Sequence, residues 1–392
     1  MRIGKWARVL LVAAPLLAGC KGFWQAPTTG GGTTPTTLSS GNFYILNKGA
    51  STSHIYGFSI VSGVLTALSG SPYPVTGVPL AMAMDSTGSY LYVSSTIGIY
   101  LYTVNSSTGA LTQSSLVSSD GAGEALAVAP GNGWLLEASD TGLLNAIPLT
   151  STGTENTSGT EQSVTMAGTQ VQQMAISTNT PRSVLAVALG STGTQIFPLT
   201  SAATTAPIGT ALPTIHVTGS ASAGASVAVA MDPQNRLMYV GETSAFPTST
   251  SSSGGLRAFT ITATSSVLTL TELSGSPYAS GGTGPHAITP DAAGDYVYVA
   301  SWQGASAGLV TPFQISTSGT TYSLTAEANT TASGDEPFGM AEDNLGHFML
   351  AVNYLGSPTL DGYFFDTTTT YQLDSAITDS TTSSPIAIIA AP

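Results

Sequence analysis

"PLAMAMDSTGSYLYV" (Pro79–Val93) and "PHAITPDAAGDYVYV" (Pro285–Val299) follow one plan. A Pro opens a short apolar run containing Ala. A polar turn with Asp follows, and then a run rich in Tyr and Val. The plan returns in "GEALAVAPGNGWLLEA" (Gly123–Ala138), "QMAISTNTPRSVLAV" (Gln173–Val187), "SVAVAMDPQNRLMYV" (Ser226–Val240), "PFGMAEDNLGHFMLAV" (Pro337–Val352) and "PIAIIAAP" (Pro385–Pro392). Aligned on these starts, one column reads Ala81, Ala125, Ala175, Ala228, Ala287, Gly339, Ala387. The next reads Met82, Leu126, Ile176, Val229, Ile288, Met340, Ile388. Adjacent strand residues point to opposite faces, so a small column beside a large one describes seven equivalent strands crowded on one side and filling space on the other.

The starts lie 44, 50, 53, 59, 52 and 48 residues apart, a length that holds four short strands. Third and fourth strands are legible in "IGIYLYTVN" (Ile97–Asn105) with "GALTQSSL" (Gly109–Leu116), and in "GGLRAFTIT" (Gly254–Thr262) with "SVLTLTEL" (Ser266–Leu273). The six-residue string "LSGSPY" occurs at Leu68–Tyr73 and again at Leu273–Tyr278, where an outer strand ends and the crossing to the next unit begins. Repeats of four strands at this period predict an all-β, seven-bladed β-propeller. The seventh start supplies only one strand (385–392). Its missing partners are "FYILN" (Phe43–Asn47), "IYGFSI" (Ile55–Ile60) and "VLTAL" (Val64–Leu68) within 43–68, so the C-terminal strand is expected to join the N-terminal ones and close the ring.

Residues 1–19 read as a signal peptide: Arg2, Lys5 and Arg8 precede the apolar run Val9–Leu17. "LAGC" then resembles a bacterial lipobox, which would leave Cys20, the one Cys of the chain, as a lipidated first residue. Residues 20–40 form a Gly/Thr/Pro-rich tether and 41–392 the propeller domain. The expected location is the cell envelope, lipid-anchored, with an outer-membrane site facing the periplasm or the surface. Only 7% of residues are charged, against about 25% in ordinary domains. After the leader, Lys21, Lys48, Arg182, Arg236 and Arg257 face 21 acids. Such scattered cations exclude a phosphate-tracking surface and hence a nucleic-acid partner.

The repeats resemble the seven-bladed propellers of the lactonase family, whose bacterial type is 6-phosphogluconolactonase, and the wider YVTN-repeat propellers. The residues that carry the resemblance are "TGALT" (Thr108–Thr112), "LSGSPY", and the strand ends "YILN" (Tyr44–Asn47) and "LAVN" (Leu350–Asn353). The resemblance spans roughly 41–392. It implies a substrate-facing "GPRH"-like stretch with an Asn-Glu pair after the next strand. Here Gly284, Pro285 and His286 match, the Arg is missing, and Ser301-Trp302 stands where Asn-Glu would be. A phosphorylated or carboxylated sugar lactone would want that guanidinium.

In a propeller, the loops before first strands and after second strands share one face. His286 and Glu124 occupy one column there, and Asp335 and Glu336 precede Pro337. Glu242, Trp302, Asn353 and Tyr354 are read in the loops after second strands. His286, with Glu124 or Glu336, reads either as a general base against an ester or lactone carbonyl or as a hydrogen-bonded strand-start His. Asp335 and Glu336 read as oxygen ligands for a divalent cation or as solvated acids; no metal is assigned. Trp302 and Tyr354 suit a sugar ring, a protein partner or rim packing. Asp85, Asp232 and Asp291 read as turn formers. No phosphate-binding glycine loop, Cys/His zinc spacing or Ser nucleophile elbow is present, and no cofactor is expected. The sequence therefore reads as an envelope binding module for a glycan, a small lactone or an envelope protein. The alternative is a lactonase-like hydrolase acting at the channel mouth.

Overall fold

The computed structural model describes residues 39–392 apart from 50, 120–122, 179–181, 201, 218–223, 247–253, 265–266, 305–307, 329, 356, 366–370 and 381. Cys20, the leader and nearly all of the expected tether lie outside the described residues. What is described is a seven-bladed β-propeller of antiparallel sheets. The innermost strands are Pro79–Met84 (blade I), Gly123–Val128 (II), Gln173–Ile176 (III), Ser226–Met231 (IV), Gly284–Pro290 (V), Pro337–Glu342 (VI) and Pro385–Ala390 (VII). Six begin on the residue read from the repeat, and the fifth begins one residue earlier. In blade VII, Pro385–Ala390 pairs with Asn42–Asn47, which is followed outward by Ser53–Val61 and Val64–Ala67. The ring is thus closed by joining the two ends of the chain.

Each blade repeats the same register. The small column pairs with the second strand as Ala81↔Ser94, Ala125↔Ala138, Ala175↔Ala186, Ala228↔Gly241, Ala287↔Ala300, Gly339↔Val352 and Leu46↔Ala387. The core divides into seven apolar clusters, one between each pair of adjacent blades. The large column packs towards the preceding blade: Met82 against blade VII, Leu126 against blade I, Ile288 against blade IV. The small column packs towards the following one, as Ala287 does against Met340 and Met349 of blade VI. At Gly241 even a methyl would be too large, since a Cβ there would stand 2.5 Å from the Pro285 carbonyl oxygen of blade V.

Polar side chains lock the repeat at its turns and seams. Asp85, Asp291 and Asp343 each accept backbone N–H bonds from the residues four and five positions on, which closes the turn between first and second strands. Tyr44, Tyr92 and Tyr298 donate their hydroxyls across a seam to carbonyls of the next blade, at Gly109, Gly153 and Tyr371. The two LSGSPY copies fold alike. Each has a cis Ser–Pro peptide, and each Tyr hydroxyl donates to the carbonyl four residues back. Blade III departs from the pattern. It has three named strands, and the segment around Pro207–Ile215 bonds to Thr194–Thr200 where a fourth would lie. At the start of the described chain, the Ser39 carbonyl bonds with Nδ1 of His347, in the turn between the first two strands of blade VI. That turn is on the face opposite the loops that precede the inner strands.

Candidate functional site

The inner strands share an irregularity that builds the site. In five blades the register slips just after the first residue of the inner strand, and in blade V just after the second, leaving one residue bulged out of the ladder. These residues are Leu80, Glu124, Val227, His286, Phe338 and Ile386. A bulge re-aims a side chain that the regular pleat would send into a blade seam. All six line a single cavity of about 530 Å³ at the hub, with Gln172 and Gln173 of blade III completing the ring. The neighbouring columns are uniform from blade to blade because they pack. The bulge column varies from Leu to Glu, Val, His, Phe and Ile because it faces a cavity.

A second column meets the first. The residue that follows the partner of each repeat start reads Thr96, Asp140, Thr243, Trp302, Tyr354 and Lys48; Trp302 is the last residue of its second strand and the others lie just past theirs. Lys48 and Tyr354 line the cavity, as does Glu336. Of the residues read from the sequence, Glu124, His286, Glu336 and Tyr354 therefore come together. Asp335 stands beside them and accepts a hydrogen bond from the Trp302 indole at 3.0 Å; neither residue lines the cavity. Glu242, Trp302 and Asn353 are not loop residues as read from the sequence but the last residues of second strands, where pairing continues one step further than the sequence pattern suggests, and Glu242 and Asn353 lie away from the cavity. Glu242 is buried against Arg257 at 3.0 Å, and Asn353 is buried with its amide donating to Asp361 and to the Pro358 carbonyl. Phe338 and Lys48 were missed. Phe338 shares the column of Glu124 and His286, and Lys48 shares that of Trp302 and Tyr354, so the repeat alignment held the signal for both.

The rings form a row. His286 and Phe338 have centroids 5.8 Å apart at 17°, and Phe338 and Tyr354 stand 5.8 Å apart at 40°. Phe338 keeps 37% of its surface exposed. Among the described residues, the side chains of Lys48, Glu124, His286 and Glu336 make no hydrogen bond or ion pair. Burial lowers the His286 pKa, so the imidazole is neutral at neutral pH. Burial raises the Glu124 carboxyl, the charge of Asp140 adds to the rise, and Lys48 opposes it. Burial and the neighbouring Asp335 raise Glu336, whose backbone holds a left-handed φ of 55°. Among the described residues no group of three or more His, Cys, Asp or Glu is placed to hold a metal ion.

Solved structures share this architecture. A protein from Bacteroides uniformis, provisionally named a 6-phosphogluconolactonase, superposes with a TM-score of 0.68 at 16% identity, covering 89% of this chain and 99% of its own. The periplasmic gluconolactonase of Pseudomonas aeruginosa gives 0.66 at 15%, covering 91% and 100%. The hydrazine synthase of Kuenenia stuttgartiensis gives 0.56 at 15%, covering 86% and 99%. The chain has the seven-bladed fold of these proteins. No family model matches it, and no curated protein matches its sequence. Similarity to both a lactonase and a hydrazine synthase shows that this fold does not choose a reaction, which must come from the site.

Proposed function

We propose that the protein is a ligand-binding propeller of the bacterial cell envelope, anchored through lipid on Cys20, with its ligand seated at the channel mouth. The observation that supports this most directly is the bulge column. Six blades turn a side chain into one cavity, and the charged groups there lack the partners that structural charges acquire. A cavity of about 530 Å³ with an aromatic wall and a few convergent polar groups has the size and make-up of a small-molecule site. A glycan fragment or an envelope protein's side chain would fit the same description.

A second reading rests on His286. A neutral imidazole in a half-buried cavity, with two carboxyls raised towards protonation, supplies the parts for opening a lactone. His286 would take a proton from water as it attacks the carbonyl. The acyl–oxygen bond would break, and Glu124 or Glu336 would protonate the departing alkoxide. Fold likeness to the Pseudomonas gluconolactonase favours this reading by analogy alone. Among the described residues, no arginine lines the cavity and no hydrogen bond joins His286 to a carboxylate. Purified full chain assayed against neutral and acidic sugar lactones, alongside calorimetric titration with glycan fragments, separates the two readings. Saturable binding without turnover is the expected result. Turnover that His286→Ala abolishes while the thermal transition is unchanged would make hydrolysis the function.

A further inference from the structure

The charges around the cavity are not balanced. Among the described residues that line it, Glu124 and Glu336 present two carboxylates against the single ammonium of Lys48. Their positions differ as well. Lys48 bears electrostatically on Glu124, whereas the charge acting on Glu336 is that of Asp335, another carboxylate. Glu336 is thus the part of the mouth with the most uncompensated negative charge, and it lies two residues from Phe338. Phe338, 37% exposed, and Tyr354 line the same cavity, and the π system of an aromatic ring attracts a cation. A carboxylate and aromatic rings lining one water-accessible space attract the same kind of group. An anion would meet two like charges there and a chain of net charge −13 around it.

We propose that the channel mouth selects ligands carrying a cationic nitrogen, seated by the Glu336 carboxylate and the rings of Phe338 and Tyr354. This rests on the reading of the mouth as a ligand site and adds the class of ligand it takes. The nitrogen is an alkylated or primary ammonium on a small molecule or side chain. Its less polar body would lie along the arc of Phe338, Ile386 and Leu80 on blades VI, VII and I. Lys48 opposes such a ligand and limits how tightly it binds. This assigns Glu336 and Lys48 opposite signs of effect, which a site for anions would reverse.

Met82, Met174 and Met340 line the cavity, while Met166, Met231, Met238 and Met349 do not, so methionine methyl resonances report occupancy with an internal control. Full chain carrying ¹³C-methyl methionine is titrated at constant ionic strength with tetramethylammonium chloride, methyl glucoside or sodium gluconate. Tetramethylammonium should shift the three cavity methyls saturably. Glu336→Gln and Phe338→Leu should each weaken it, the first by about tenfold, and Lys48→Gln should tighten it about two- to threefold. If gluconate binds more tightly and Lys48→Gln weakens it, the mouth is a site of the opposite charge preference. If methyl glucoside matches tetramethylammonium, hydroxyl recognition replaces charge. Either result overturns the cationic class and leaves the site standing. If no probe moves the cavity methyls while the control thermal transition is intact, the site reading fails as well.

Discussion

Two groups of charged residues sit near the same face of this ring and live by opposite rules. In blade IV, Arg257 bonds to Glu242 at 3.0 Å and to Glu272 at 2.7 Å, and donates a third bond to the His216 carbonyl. Every charge there has a partner. At the hub, Lys48, Glu124 and Glu336 share a cavity and have none among the described residues. The first group holds blade IV to the crossing from blade III. The second, on the proposed reading, is left open to a ligand. A charge with a partner in the fold reports on stability, and a charge with only solvent before it reports on binding.

The largest test of that contrast is Arg257→Met. It leaves Glu242, 1% exposed, buried without its cation, and should cost about 3–5 kcal/mol in urea unfolding. A cost below about 1 kcal/mol would place both groups in one class. Glu342 tests the ground between them. It accepts one backbone bond, from Ala292 at 2.7 Å, and burial pushes its pKa up to about 7, helped by Asp291 and Asp343. The folded state therefore favours the protonated carboxyl. The stability it contributes is full below the ordinary carboxylate range, near pH 4.5, and is lost as pH rises towards 7. Glu342→Gln should flatten that fall and raise Tm at pH 8 by a few degrees while leaving it nearly unchanged at pH 4.

Smaller effects belong to the hub. Glu336→Gly relieves a left-handed backbone that a residue with a Cβ holds at a cost, and should stabilise the protein by about 1 kcal/mol while removing the carboxylate. A site residue whose loss improves stability is the reverse of Arg257. Smallest of all, Glu124→Gln and Lys48→Gln should shift unfolding free energy by no more than about 0.5 kcal/mol, because neither gives up a partner. A loss of 2 kcal/mol or more at either position would show a structural contact and collapse the distinction.

The blades were legible in the sequence because packing imposes the same requirement seven times. Ala81 and its equivalents must be small to admit the following blade, and Met82 and its equivalents must be large to meet the preceding one. Repetition turns that requirement into a readable column. The site was legible only where its residues looked chemical. Glu124, His286, Glu336 and Tyr354 stood out as types, whereas Phe338 looked like core and Lys48 looked like a stray surface cation. What exposed Phe338 is the bulge, a one-residue slip in pairing that hydrophobic pattern does not encode, since Leu80, Val227 and Ile386 occupy it as readily as Glu124 does; Lys48 is brought to the cavity by its place after a second strand. Glu242 stood out equally and is taken up by Arg257, a partner 15 residues away across the sheet.

The closing strand also sets a direction. Asn42–Asn47 is the second strand of its blade and runs towards the cavity, ending at Lys48, so the chain enters the ring from the other side, where Ser39 meets His347. For a protein held through Cys20, as proposed, the tether would leave the ring on the pole opposite the mouth, so a ligand could enter the channel without threading past the protein's own leash.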